Sequence, residues 1–315
     1  MRLITRLITI LVGLALAATA SAQGTGRSLD IQPGARQNAM GAAGVAVAGD
    51  AAGATWWNPA FLGFVKHADL QLTGAQLVPG LATDVTYNQA AYLQPIEGWG
   101  AIAGGLAFLS YGSSEGVDVS GNFTGKFDSY EFSSGLSYGT RLLPDFAIGA
   151  TVKYIRIQLA PQAQQGVGAT FGFDFGALYQ IPAARLRIGG NLQNMGPSVV
   201  FISEDQASPL SRNVKVGAAW EAVSNKQFVL TLISDFNQSL VTSDFRTYNH
   251  GAELLYTGQL AGRIGWYSDP LGNISDFTYG IGVNWNSLTL DWGSIPQAKD
   301  ASLPNVNKVT LGYRF

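Results

Sequence analysis

Residues 277–285 read Phe-Thr-Tyr-Gly-Ile-Gly-Val-Asn-Trp. In an extended chain Phe277, Tyr279, Ile281, Val283 and Trp285 share one face, and Thr278, Gly280, Gly282 and Asn284 share the other, because successive strand side chains point to opposite sides. Residues 171–181 repeat the pattern, with Phe171, Phe173, Phe175 and Tyr179 against Gly172, Asp174, Gly176 and Gln180. At the C-terminus Val309, Leu311, Tyr313 and Phe315 alternate with Lys308, Thr310, Gly312 and Arg314. Fourteen such segments follow one another between residues 66 and 315.

The connections alternate too. Long ones fall at 79–83, 113–125, 160–166, 195–211, 238–244, 268–276 and 295–305. Tight ones fall at 95–98, 143–145, 182–184, 224–226, 257–258 and 286–287. Short turns at one end and longer loops at the other, on an even number of strands, describe a transmembrane barrel. A soluble sandwich gives no reason for that rhythm, and fourteen apolar faces in water would aggregate. In lipid those faces are required, and closure satisfies every backbone group. The expected fold is all-β: a 14-stranded antiparallel transmembrane β-barrel. Tyr138, Tyr154, Tyr179, Trp220, Tyr256, Trp266, Trp285, Trp292 and Tyr313 fall near strand ends, where interfacial girdles sit.

Composition agrees. Charged residues are 13% of the chain and glycines 39 of 315, against roughly 25% and 7% in ordinary soluble domains. No basic cluster suggests a nucleic-acid partner. With no cysteine, disulfide scaffolds, cysteine zinc sites and thiol catalysis are excluded.

Arg2 and Arg6 precede an apolar run over 7–20, and Ala20-Ser21-Ala22 offers a small-residue cleavage site. Residues 1–22 therefore read as a secretory signal peptide. The segment 23–65 does not alternate. It is rich in Ala and Gly, Asp50 is placed to cap a helix, and Asn58-Pro59 to end one. Trp56, Trp57, Phe61, Leu62 and Phe64 want burial, so this segment is expected to form a plug with small helices inside the 66–315 barrel.

The ordered string Gly34-Ala35-Arg36, Met40-Gly41, Gly44-Val45-Ala46, Asp50-Ala51 and Trp57-Asn58-Pro59-Ala60 resembles the N-terminal signature of the PorV/PorQ family, within the FadL-like barrels. The resemblance implies fourteen strands with an N-terminal hatch in a Gram-negative outer membrane. It implies a non-enzymatic accessory or shuttle role in type IX secretion and cargo attachment. The implied partners are outer-membrane lipid, a secretion translocon and secreted cargo. The alternative is FadL-like transport of a hydrophobic ligand such as a long-chain fatty acid. Phe315, with Tyr313, resembles the C-terminal signal read by the outer-membrane assembly machinery. FadL-like proteins also have a third-strand kink that opens a side gate. Gly104-Gly105, in the apolar run 101–109, could supply one, or the run could be a strand buried against the plug.

No cofactor motif is present. His67 and His250 are the two histidines, and Ser243 precedes His250 without defined geometry, so a barrel hydrolase is disfavoured. Arg185, Arg187, Lys215, Glu221, Glu253, Arg263, Asp291, Lys308 and Arg314 are expected to face the lumen and to pair there, because their signs are mixed. Intact-mass measurement of the protein from the membrane should give a chain beginning at Gln23; one retaining residues 1–22 would contradict the leader assignment.

Overall fold

A computed structural model describes residues 24–47, 49–117, 120, 122–161 and 166–315. The expected leader, 1–22, lies outside them. Fourteen strands form a closed barrel in which each pairs antiparallel with its sequence neighbours and the first pairs with the last. They are β1 (Asp69–Gln76), β2 (Val85–Ile96), β3 (Gly100–Val117), β4 (Phe123–Leu143), β5 (Phe146–Gln158), β6 (Val167–Ile181) and β7 (Leu186–Met195). The remaining strands are β8 (Asn213–Ser224), β9 (Phe228–Ser239), β10 (Arg246–Tyr256), β11 (Leu260–Asp269), β12 (Ile274–Trp285), β13 (Leu288–Ile295) and β14 (Val306–Arg314).

The alternation read from the sequence is the alternation of the wall. On β12, Phe277 and Ile281 are 54% and 59% exposed, whereas Thr278 between them is 0% exposed. The outward face is the one a bilayer covers. Aromatics ring both ends of it. Tyr138, Tyr179, Trp220, Tyr256, Trp285 and Tyr313 are exposed near the short turns. Stacked or tilted pairs such as Phe108–Tyr130 and Phe236–Tyr248 stand toward the long loops.

Two expected loops are shorter than the pattern suggested. Most of 113–125 is paired strand, with Ser113 opposite Asp128 and Glu115 opposite Lys126. β3 and β4 thus continue as a two-stranded ribbon beyond the wall. Outside lipid neither face has to be apolar, so the hydrophobic signal ends while the pairing does not. Likewise 268–276 contracts to a connection over 270–273.

Residues before β1 carry short helical turns, Arg27–Leu29, Ala35–Asn38, Gly53–Trp57 and Pro59–Gly63, and they lie inside the barrel. Ala35, Ala39, Met40, Ala51, Ala54 and Ala60 are all fully buried. Every strand contributes a buried lumen-facing residue, from Gln71 on β1 through Ala103, Thr151 and Glu253 to Lys308 on β14. Ile281→Arg, near the middle of the outer band, should lower unfolding free energy in lipid vesicles by about 2–4 kcal/mol. An unchanged urea midpoint would contradict the lipid assignment of that face.

Candidate functional site: the plug and its seat

The plug touches the wall backbone to backbone. Pro59 lies over Gly139 and Gly149, and a Cβ on either glycine would overlap it. A second seat is made by Gly251 and Gly265, which leave room for the Met40–Gly41 peptide. Gly41 itself has a φ of 74°, which favours a residue without Cβ.

An irregular backbone needs partners that no ladder supplies, and lumen side chains provide them. Thr310 Oγ1 accepts from Ala35 N at 2.9 Å. Thr278 Oγ1 accepts from Gly41 N at 2.8 Å and donates to Ala39 O at 3.0 Å. Asp235 Oδ2 accepts from Gly44 N and Val45 N at 2.6 and 2.9 Å. Asp69 and Gln71 accept from Ala51 N and Ala52 N at 2.9 and 3.2 Å. Asn191 and Gln193 donate to the carbonyls of Trp57 and Trp56. Within the plug, Asp50 accepts from Gly53 N at 2.7 Å and so caps the turn that follows. The fully buried Asn58 side chain donates to Val45 O and to Ala177 O of β6, both at 3.0 Å, and accepts from Ala60 N. One residue therefore ends a turn, starts the next and ties both to the wall.

Charge pairing completes the seat. Arg36 grips Glu253 with two hydrogen bonds, of 2.9 and 2.7 Å. Glu253 also accepts from Arg263 at 2.7 Å, and Arg263 donates to Asp291 at 2.6 Å. Asp50 closes the group, 3.7 Å from Arg36. Burial alone would lower the Arg36 guanidinium, but Glu253 and then Asp50 outweigh it and hold it above its ordinary range. The geometry is the bidentate one that makes Arg–carboxylate pairs strong. Lys215 instead stands over the Trp56 ring at 3.9 Å, a cation–π contact.

At the long-loop end the chain start is clasped. Thr25 forms a parallel bridge with Leu210 of the loop between β7 and β8. Glu131 accepts from Arg27 N and Ser28 N at 3.1 and 2.7 Å and from the Tyr111 hydroxyl at 2.8 Å. Asp30 accepts from the Ser211 hydroxyl at 2.5 Å, and burial pushes its carboxyl above the ordinary value of 3.8.

The family model described as "Type IX secretion system protein PorV" matches residues 20–246, well over half of the chain. The chain belongs to the PorV family. Among solved structures it resembles the Pseudomonas putida toluene transporter TodX, with a TM-score of 0.59 and 14% identity over 93% of this chain and 98% of that one. The Ralstonia pickettii toluene transporter TbuX matches at 0.58 and 16%, over 90% and 97%. The monoaromatic hydrocarbon channel CymD matches at 0.56 and 12%, over 90% and 97%. These likenesses show the FadL-like fold. A comparison with curated proteins found no match. Family and fold together make this an outer-membrane barrel.

In this PorV-family chain the signature residues converge on the plug seat. Ala35 and Arg36 lie against β14 and β10, Gly34 packs on Gln37 and Ala52 within the plug, Met40 and Gly41 lie against β10–β12, and Trp57 through Ala60 against β4–β7. The sequence reading placed Glu253, Arg263 and Asp291 in the lumen, where they are. It also placed Arg185 there, but the φ of 53° at this turn residue carries the side chain out to the exposed rim. Arg314 sits half exposed at the barrel end, 3.8 Å from Asp69. Asp69, Glu131, Lys153 and Asp235 escaped notice, although strand parity alone turns them inward. Lys153 and Asp174 pair at 2.6 Å.

Pairing is unbroken across Gly104 and Gly105, which face Leu136 and Gly135. The register shifts in this strand lie further on, between Ser110 and Gly112, where a left-handed glycine allows it, and between Gly116 and Val117. His250 faces outward and meets Ser234 at 3.0 Å, while Ser243 bonds its neighbour Asp244, so the two do not form a dyad. Tyr313 and Phe315 stack edge to face at 4.8 Å on the outer wall. Glu253→Gln removes the carboxylate shared by the buried Arg263 and the partly buried Arg36, which keep Asp291 and Asp50, and should reduce stability by about 1.5–3 kcal/mol. Arg187→Gln, whose partner Glu221 is only partly buried, should change it by less than about 1 kcal/mol. Equal urea midpoints for the two variants would refute a latch at Glu253.

Proposed function

We propose that the protein is a non-enzymatic accessory barrel of type IX secretion that offers its outer loops to a translocon and to secreted cargo. The match to the PorV family over residues 20–246 carries this reading. The seated plug supports it, because a barrel whose lumen is filled has its loops and outer wall to offer. The long-loop end exposes apolar side chains outside the lipid band, Leu81 at 75%, Phe123 at 61% and Ile202 at 60%. Apolar loop residues held on a rigid scaffold suit protein recognition. On this reading residues 1–22 export the chain as a cleaved leader, and Tyr313 with Phe315 marks it for barrel assembly. Affinity purification from the native cell in mild detergent should recover a large translocon barrel or secreted proteins; recovery of the barrel alone would overturn the reading.

One observation favours a second reading, passage of a hydrophobic small molecule. A groove on the outer wall and a small cavity beside the plug share Gly105, Leu106, Ser134 and Gly135. Little more than strand backbone separates lipid from plug there, and movement of β3 at Gly104–Gly105 would join the two spaces. A deletion strain should then take up a labelled long-chain fatty acid or toluene more slowly; uptake at the parental rate would remove this reading.

A further inference from the structure

The outer wall over β2–β5 carries a groove of about 500 Å³, within the roughly 300–1,000 Å³ of ordinary ligand sites. Strand parity explains it. Ala90, Gly104 and Ser134 are outward positions on three adjacent strands, and their small side chains leave a floor without bulk. Tyr92, Leu136 and Phe171 stand around it. A Cβ on Gly104 would find its nearest neighbour 4.0 Å away, at Gly135 O, so the notch is open space. The surrounding surface is apolar.

Arg156 lies above the groove on the same face. Ile155 and Ile157, its neighbours on β5, are 0% and 1% exposed, which turns Arg156 outward with Val152 and Tyr154. It is two residues beyond Tyr154 toward the long loops, about 7 Å along the strand. Tyr130 and Tyr154 stand beside its guanidinium. Among the described residues it belongs to no ion pair. Asp128, further out on β4, accepts from the Ser113 hydroxyl. An outward arginine is tolerated at the interface, where its penalty falls to about 0–1 kcal/mol, and there it meets lipid headgroups.

We propose that this wall holds one anionic phospholipid of the outer leaflet, with no cationic group beside its phosphate, its acyl chain in the Gly104 groove and its phosphate on Arg156. The guanidinium fork suits phosphate, and the apolar notch directly below suits a chain attached to it. Neither part depends on the loops or on the plug, so the proposal stands apart from the secretion reading; a transport role would use the same groove.

The test uses the full-length barrel in nanodiscs of equal phosphatidylglycerol and phosphatidylcholine, released into detergent, with retained lipid counted by native mass spectrometry. Wild type should keep one phosphatidylglycerol in preference to phosphatidylcholine. Arg156→Gln should abolish the preference, reducing retained phosphatidylglycerol at least fivefold. Gly104→Leu, which fills the notch, should reduce retention of both lipids. Arg246→Gln, an outward cation on β10 away from the groove, should behave as wild type and provides a folded control. Equal retention of the two lipids by wild type would overturn the proposal. So would retention by Arg156→Gln at the wild-type level, or a loss with Arg246→Gln as large as with Arg156→Gln.

Discussion

A peptide group that lies inside a membrane barrel and outside its ladder must find its partner in its own turn or on the lumen wall. The strands satisfy one another through closure. The plug cannot, because its turns are short and irregular. Two provisions meet this constraint. Glycines at Gly139, Gly149, Gly251 and Gly265 let the plug backbone lie directly on the wall. Thr278, Thr310, Asp69 and Asp235 then reach its amides. The Arg36–Glu253–Arg263–Asp291 chain adds charge pairing across β10, β11 and β13. Glycine surplus, mixed lumen charge and the N-terminal signature are thus three views of one interface.

With the plug bonded from its clasp at Glu131 to its last turn over β4 and β6, the molecule presents a lipid-facing wall, a set of long loops and the β3–β4 ribbon. Membership of the PorV family gives those surfaces a setting, protein secretion across the outer membrane. The FadL-like fold alone could serve several tasks. The thin wall at Gly105 and Gly135 is the feature a transport role would use, and it is closed in this structure by continuous pairing.

The barrel was legible because lipid enforces a period of two on every strand, and the signal stops where lipid stops. The same reason hid the ribbon: Ser113, Ser114 and Glu115 are exposed on both of its faces and read as loop. Parity assigns a side chain to the lumen only within a regular strand, which is why Arg185, one residue into a turn, was misplaced. It could say that Glu253 faces inward, but not that its partner is Arg36, 217 residues away. Such pairs follow from how the plug lies, and no local spacing records that. Gly104 and Gly105 stood out as small residues on both faces. The structure separates them: the first opens a groove to the lipid, and the second makes room for Thr55 of the plug.

The central claim is that the plug is a fixed part of the wall. Native-state hydrogen exchange of the Gly41, Gly44, Val45 and Ala51 amides, followed in lipid, tests it most directly. These four are bonded by Thr278, Asp235 and Asp69 and should exchange as slowly as amides in the middle of β12. Exchange at the rate of the loop between β7 and β8 would show a plug that comes and goes, and would contradict the account.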